Sequence, residues 1–186
     1  IYEWDALIEG LATLEVDFSA DLTHTPERQQ IYFMSDAIAE RAMKIFRLAD
    51  APKLQEIIKE RTPRYIFLDG TTTYDDIKKA SDVEFEAFFA GDYYEVIEML
   101  EKGTVDAFFD EASAESVFDE YGKMKSEEFL PLIYSPISLS TANPELKHII
   151  DVVQKYLEQD GLFNLINMYN QGHEEYLRHK LHTQLT

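Results

Sequence analysis

The stretch Leu22-Thr23-His24-Thr25-Pro26-Glu27-Arg28 carries the first residues whose types and spacing could do chemistry. Threonine is a favoured N-cap and proline a favoured first helical residue, so the spacing predicts a helix that starts at Thr25, behind a strand over Glu15-Val16-Asp17-Phe18. Exposed N–H groups, the positive end of the helix dipole and the two-pronged guanidinium of Arg28 one turn in would then make a carboxylate receptor. An ordinary capped helix with a solvated arginine has the same local signal. A second place of this kind is the run Arg64-Tyr65-Ile66-Phe67-Leu68, a good strand that passes into Asp69-Gly70-Thr71-Thr72-Thr73 before a helical stretch Tyr74 to Ala80. Backbone amides at that helix start could face an anion, although a plain strand-to-helix turn reads the same way. A third is Val105-Asp106-Ala107-Phe108-Phe109-Asp110, a strand with Asp110 at its carboxyl end, where ligands sit in open α/β sheets.

Other reactive patterns are weaker. Asp106 and Asp110 share a strand face by period-2 spacing, a geometry compatible with an acid/base pair, but a strand-start aspartate and a ligand-anchoring aspartate explain them better. His173-Glu174-Glu175-Tyr176-Leu177 approaches the zinc-protease helix motif but has Leu177 where the second histidine must stand. His179 and His182 lie one helical turn apart, and a metal would need a third ligand. No Gly-x-Ser-x-Gly elbow and no Gly-x-x-x-x-Gly-Lys loop is present, so hydrolase and nucleotidase readings have neither nucleophile nor phosphate cradle. No catalytic residue, metal ligand or cofactor is assigned.

The elements that must position these residues alternate between β and α. Glu3 to Leu11 has apolar residues at helical spacing. A segment around Ile31-Tyr32-Phe33-Met34 precedes an extended run Met43 to Phe46, and Ala51 to Lys59 reads as a connector with a short helix. After the Gly-Thr turn come a strand at Glu84 to Phe89, a helix capped by Asp92 and closed by Gly103, the Asp110 strand, and a helix from Ala112 to Tyr121. Extended pieces at Phe129 to Tyr134 and Pro136 to Ser140 follow. Asn143-Pro144 then starts an amphipathic helix that ends at Gly161, and two further helices, Leu162 to Asn170 and Glu174 to Leu181, complete an α/β pattern.

With 186 residues and 45% hydrophobic content, the chain suits one domain or two small lobes. No apolar run is long enough to span a membrane. A net charge of −19 repels phosphate backbones, which argues against a nucleic-acid partner. Cysteine is absent, so disulfides and thiolate sites are excluded. The chain starts at Ile1 without Met, as an excised fragment would.

In this order the motifs resemble the type 2 periplasmic solute-binding fold, and most of all solute-binding protein family 3. They are the Thr-Pro-Glu-Arg turn, the strand-Gly-Thr-Thr-helix unit, Gly-x-Val-Asp-Ala-Phe-x-Asp, and Ser-Leu-Ser-Thr-Ala-Asn-Pro-Glu-Leu. Val16-Asp17-Phe18, Tyr32 to Arg41, Tyr134 to Leu139 and Glu175 to Leu181 look closer to the sensor versions found in bacterial histidine kinases and diguanylate cyclase signalling proteins. The resemblance implies an α/β protein of two lobes with a cleft between them: residues 1–46 the first part of lobe 1, residues 47–134 lobe 2 with its connector, and residues 135–186 the return to lobe 1. It also implies that a strand, helix and strand of lobe 1 ahead of Ile1 are missing.

Carried over residue by residue, the resemblance makes Arg28 the carboxylate-binding arginine and Thr23 the residue offering a loop amide. Gly70, Thr71 and Thr72 become the loop that helps hold the ligand carboxylate, and Asp110 the acid that takes an α-ammonium. Hinge strands are expected near Arg41 to Phe46 and Leu132 to Ser138, and cleft closure on the ligand would be the signal. Asp21, Met34 and Ala37-Ile38 depart from the family pattern. The function implied is an extracytoplasmic sensor domain for an amino acid or small carboxylate, membrane-tethered in its parent and not itself an enzyme. The alternatives are a free receptor of an amino-acid importer and a lyase-type enzyme on the same fold. The implied partners are a small-molecule ligand, an adjacent binding module or membrane-anchored signalling domains, and a second copy as a dimer.

Overall fold

The computed structural model describes residues 2–185, which form an α/β structure with seven strands and seven α-helices among them. The chain divides into two compact units, one made of Ile1–Thr13 and Arg41–Ser135, the other of Leu14–Glu40 and Pro136–Thr186.

In the first unit α1 (Trp4–Ala12) is followed, after the chain returns, by the second half of the long strand β2 (Phe33–Leu48). Then come α2 (Leu54–Glu60), β3 (Arg64–Leu68), α3 (Thr73–Ala80), β4 (Glu86–Ala90), α4 (Tyr93–Glu101), β5 (Ala107–Glu111), α5 (Glu115–Tyr121) and β6 (Met124–Glu128). The strand order is β6-β2-β5-β3-β4, with β3 parallel to both β4 and β5 and β2 antiparallel to β5 and β6. The apolar runs of β3 and β5 bury both faces, as central strands covered by helices must. Ile66, Leu68 and Phe108 pack with Phe46 and with Val96, Leu100 and Phe118 of α4 and α5. Tyr65, Phe67, Ala107 and Phe109 face the other way, onto Leu54 of α2 and Ile77 of α3. The two-residue repeat of a strand thus sorts one sequence into two cores.

Asp106, at the foot of β5, is one anchor of this unit. Its carboxylate accepts from Arg61 Nη1 at 2.7 Å, Arg61 Nη2 at 2.6 Å, Arg64 Nη2 at 3.2 Å and the Arg64 backbone N–H at 2.8 Å. Burial alone would raise its pKa, but these donors outweigh it and hold the carboxyl down to about 2. Asp106 is therefore a structural ion-pair residue, and the acid/base pairing with Asp110 that strand spacing allows is not formed.

In the second unit β1 (Ser19–Thr23) pairs antiparallel with β7 (Tyr134–Thr141), and the Ser35 hydroxyl of β2 accepts from the Leu139 N–H at 3.2 Å. Asn143 caps the following turn by accepting from the Glu145 N–H, and α6 (Lys147–Tyr156) leads through a π-helical turn at Leu157–Gly161 into α7 (Leu162–Leu185). Gly161 is required there, because a Cβ would lie 2.6 Å from the Tyr156 carbonyl oxygen.

Four expectations are corrected. Glu15 to Phe18 is not a strand; β1 begins at Ser19. The helix expected from Thr25 is a single turn: the Gln29 N–H reaches the Thr25 carbonyl at 3.0 Å, a 3-10 turn covers Arg28–Gln30, and β2 begins at Phe33. Ile31, Tyr32 and Phe33 are β-branched or aromatic residues that favour extended backbone, and they end the turn. Phe129 to Ile133 is irregular, and the strand before it, β6, was not legible from hydrophobicity because its sequence is Met-Lys-Ser-Glu-Glu. The two C-terminal helices are one helix of 24 residues that runs through Gly172.

Two outcomes are expected. Leu14 sits just past the C-cap of α1 with φ +63°, the left-handed position that glycine favours, and its side chain is 47% exposed. Leu14→Gly should raise the thermal midpoint by about 2–3 °C, the net of relieved strain and added chain entropy; a lower midpoint would show that Leu14 packing dominates. Asp106→Asn should cost about 1–2 kcal/mol near neutral pH, after allowance for the solvent around Arg61. Because the folded-state pKa is depressed, this stability is present above about pH 4 and is lost as pH falls through about 2. Urea unfolding of both proteins along that pH range should show the difference shrinking, and an unchanged difference would contradict the ion-pair account.

Candidate functional site

The first unit has a topological switch point. After β3 the chain enters α3 on one sheet face, and after neighbouring β5 it enters α5 on the opposite face. Parallel strands whose helices depart in opposite directions leave a crevice outside their carboxyl ends, the usual place for a ligand in an open α/β sheet. Asp69, Gly70, Thr71 and Thr72 lie on the β3 side and Asp110 on the β5 side, so the structure brings these sequence-identified residues to one sheet edge.

Asp110 is 8% exposed, and its carboxylate accepts from the Tyr93 hydroxyl at 2.8 Å and from the Glu111 N–H at 2.8 Å. Burial, and then the Asp110 charge, push the Tyr93 phenol far above its ordinary value, so it stays protonated and donates. Tyr93 opens α4, whose N-cap Asp92 accepts from the Glu95 N–H at 2.8 Å while Glu95 accepts from the Gly91 N–H at 3.0 Å. The sequence reading identified the Asp92 cap but not Tyr93. An aromatic hydroxyl placed right after a cap at a strand-to-helix junction is the signal that could have found it.

The Gly70 loop is less open than an anion cradle. Gly70, at φ +73°, gives its N–H to the side chain of Asp69 at 3.0 Å, and the Thr71 hydroxyl donates to the Leu68 carbonyl at 2.8 Å. Thr72 is the helix N-cap residue in helical conformation, and its side chain makes no cap bond.

Thr23 and Arg28 belong to the second unit, where they meet each other. Arg28 Nη1 donates to the Thr23 carbonyl at 3.2 Å, and the Arg28 N–H donates to the Thr25 hydroxyl at 3.2 Å. The guanidinium is thus oriented by the strand end ahead of it. A turn of three residues supplies no helix dipole worth the name, so the helix-start receptor expected around Arg28 is not formed. Ala37 and Ile38 line a separate apolar groove of about 460 Å³ with Leu162, Leu165, Ile166 and Tyr169. Among the described residues no group of three or more His, Asp or Glu is placed to hold a metal ion, and His179 and His182 gain no third ligand.

Comparison with known proteins gives these features a context. No curated protein matches the chain. The structure is similar to an arginine transport-system periplasmic binding protein from Legionella pneumophila, with a TM-score of 0.69 and 19% identity, over 91% of this chain and 78% of that one. It is similar to the periplasmic VFT2 domain of BvgS from Bordetella pertussis, with a TM-score of 0.67 and 19% identity, over 90% of this chain and 73% of that one. It is also similar to an amino-acid transporter substrate-binding protein from Streptococcus pneumoniae solved with L-arginine, with a TM-score of 0.63 and 17% identity, over 89% and 73% respectively. At these identities the likeness establishes a shared fold. Among the described residues no helix is long and apolar enough to cross a membrane. Residues 1–171 match the bacterial extracellular solute-binding proteins, family 3, and the chain belongs to that family.

Proposed function

We propose that this chain is the extracytoplasmic ligand-binding domain of a bacterial signalling protein and that its ligand is a free amino acid. The observation that carries the reading is the buried Asp110 carboxylate at the switch-point edge of the first unit, which accepts from a protonated Tyr93; the Arg28 guanidinium of the second unit is oriented by the Thr23 carbonyl. An α-amino acid carries one ammonium and one carboxylate, and those two side chains are their complements. A ligand that binds one conformation of the chain better than another shifts the population toward it, and that differential affinity is a signal. Tyr93 contributes by aiming the carboxylate through its hydrogen bond.

The sensor role is supported by α7. At 24 residues it spans about 36 Å, is exposed along most of its length, and continues beyond residue 171 where the family match stops. A helix that long on a binding module is suited to carry a change of arrangement elsewhere. The second reading, a free receptor of an amino-acid importer, is favoured by the similarity to the Legionella and Streptococcus proteins.

Isothermal titration of the chain with the L-amino acids, beginning with L-arginine, tests the reading. A saturable heat for at least one of them is expected. Arg28→Ala and Asp110→Asn should each weaken that binding by roughly ten- to a hundredfold, the range for loss of a charge-assisted hydrogen bond. Absence of binding to every amino acid, or binding indifferent to both substitutions, would overturn it.

A further inference from the structure

Helix α7 turns an apolar stripe to solvent. At about 100° per residue, Leu162, Phe163, Ile166, Tyr169, Leu177 and Leu181 fall within about 120° of its circumference, the width of the face that a surface helix usually presents to a core. Each of the six is between 43% and 67% exposed. Taking about 200 Å² for a large side chain, together they offer roughly 600 Å² to a partner. Leu162, Ile166 and Tyr169 also form one wall of the groove of about 460 Å³ whose other wall is Ala37, Ile38 and Ala39 of β2. With that wall included, the patch approaches the ~800 Å² that each member of a stable pair contributes.

Charge decides what can cover this face. The chain has a net charge of −19, so two copies repel each other over an ordinary stretch of surface. Helix α7 is balanced instead: its carboxylates are Glu174 and Glu175, and its cations are Arg178 and Lys180. Both carboxylates lie outside the arc of the six apolar residues, and Glu174 is met by Arg178 at 3.7 Å. The cation within the arc is Lys180, and the charge at the groove is Glu40. Two copies that meet here therefore bring opposite signs together rather than like ones.

The groove lies beside the first half of α7, whereas Leu177 and Leu181 stand on its second half. Leu162 and Leu181 are equally far from the middle of the stripe, and so are Ile166 and Leu177. An antiparallel pairing sets Leu177 and Leu181 of each copy over the groove of the other, and it brings Lys180 toward the Glu40 rim. A parallel pairing would set groove against groove and leave both unfilled. We propose that the chain forms a two-fold dimer through α7, with the helices antiparallel and each groove filled by the leucines of the second copy. The inference does not depend on the amino-acid reading.

Sedimentation equilibrium from about 1 to 100 μM tests it, and wild type should approach twice 21.6 kDa with a micromolar dissociation constant. Ile166→Glu and Leu177→Glu, each a change at a half-exposed position, should each weaken the dimer at least about thirtyfold. Met168→Glu adds the same charge to the opposite side of α7, where Met168 is exposed, and should leave association within about threefold of wild type. If one glutamate variant fails to fold, the other decides. A monomeric wild type at the highest concentration overturns the dimer, as does association indifferent to both stripe changes or equally sensitive to Met168→Glu. Because the chain has no cysteine, introduced thiols report the geometry. Ile166→Cys and Leu177→Cys chains, mixed and oxidised, should give the mixed disulfide; a like-with-like disulfide, or none, overturns the antiparallel arrangement.

Discussion

The parallel pairing of β3 with β5 is the constraint on which the site depends. Tyr65 lies beside Ala107 and Ile66 beside Phe108, and this register carries the chain forward so that the Asp69-Gly70-Thr71-Thr72 loop and Asp110 emerge at the same edge. Both faces of β3 and β5 are covered, by α2 and α3 on one side and α4 and α5 on the other. Burial of both faces is worth far more than any polar contact at the rim, so the apolar residues of β3 and β5 fix where the polar ones stand. At the opposite end of the same two strands, Asp106 ties Arg61 and Arg64 together and fixes the register from below.

The two aspartates of β5 illustrate how position decides role. They are four residues apart, have the same side chain, and are both nearly buried. Asp106 is met by two guanidinium groups and a backbone N–H, and its charge is consumed within the fold. The contacts of Asp110 include a hydrogen bond from the Tyr93 phenol and one from the Glu111 N–H.

Much of this was legible in the sequence. The runs Arg64 to Leu68 and Val105 to Asp110, the Asp92 and Asn143 caps and the Gly-Thr turn have unambiguous local causes, and these elements form where those causes put them. The family and the α/β class followed from the order of motifs. What was not legible depends on partners distant in sequence. β6 has a charged sequence and exists because Lys44 and Arg47 of β2 supply opposite charges for Glu128 and Glu127. The Thr25 turn has correct capping residues but too few helix-favouring residues after it. The placement of α1 on the first unit follows from a hydrogen bond between Trp4 and Asp69, which no local pattern announces.

The central claim is that Asp110 and Arg28 are both needed for amino-acid binding. Two-dimensional NMR of the isotope-labelled chain during titration with L-arginine and the other L-amino acids tests it most directly. The account predicts that, for the amino acid that binds, the backbone amides of Gly70, Thr71 and Thr72, the amide of Asp110 and the Arg28 Nε–H signal move together with one saturation curve. Saturable shifts confined to other segments, with these five signals stationary, would contradict it.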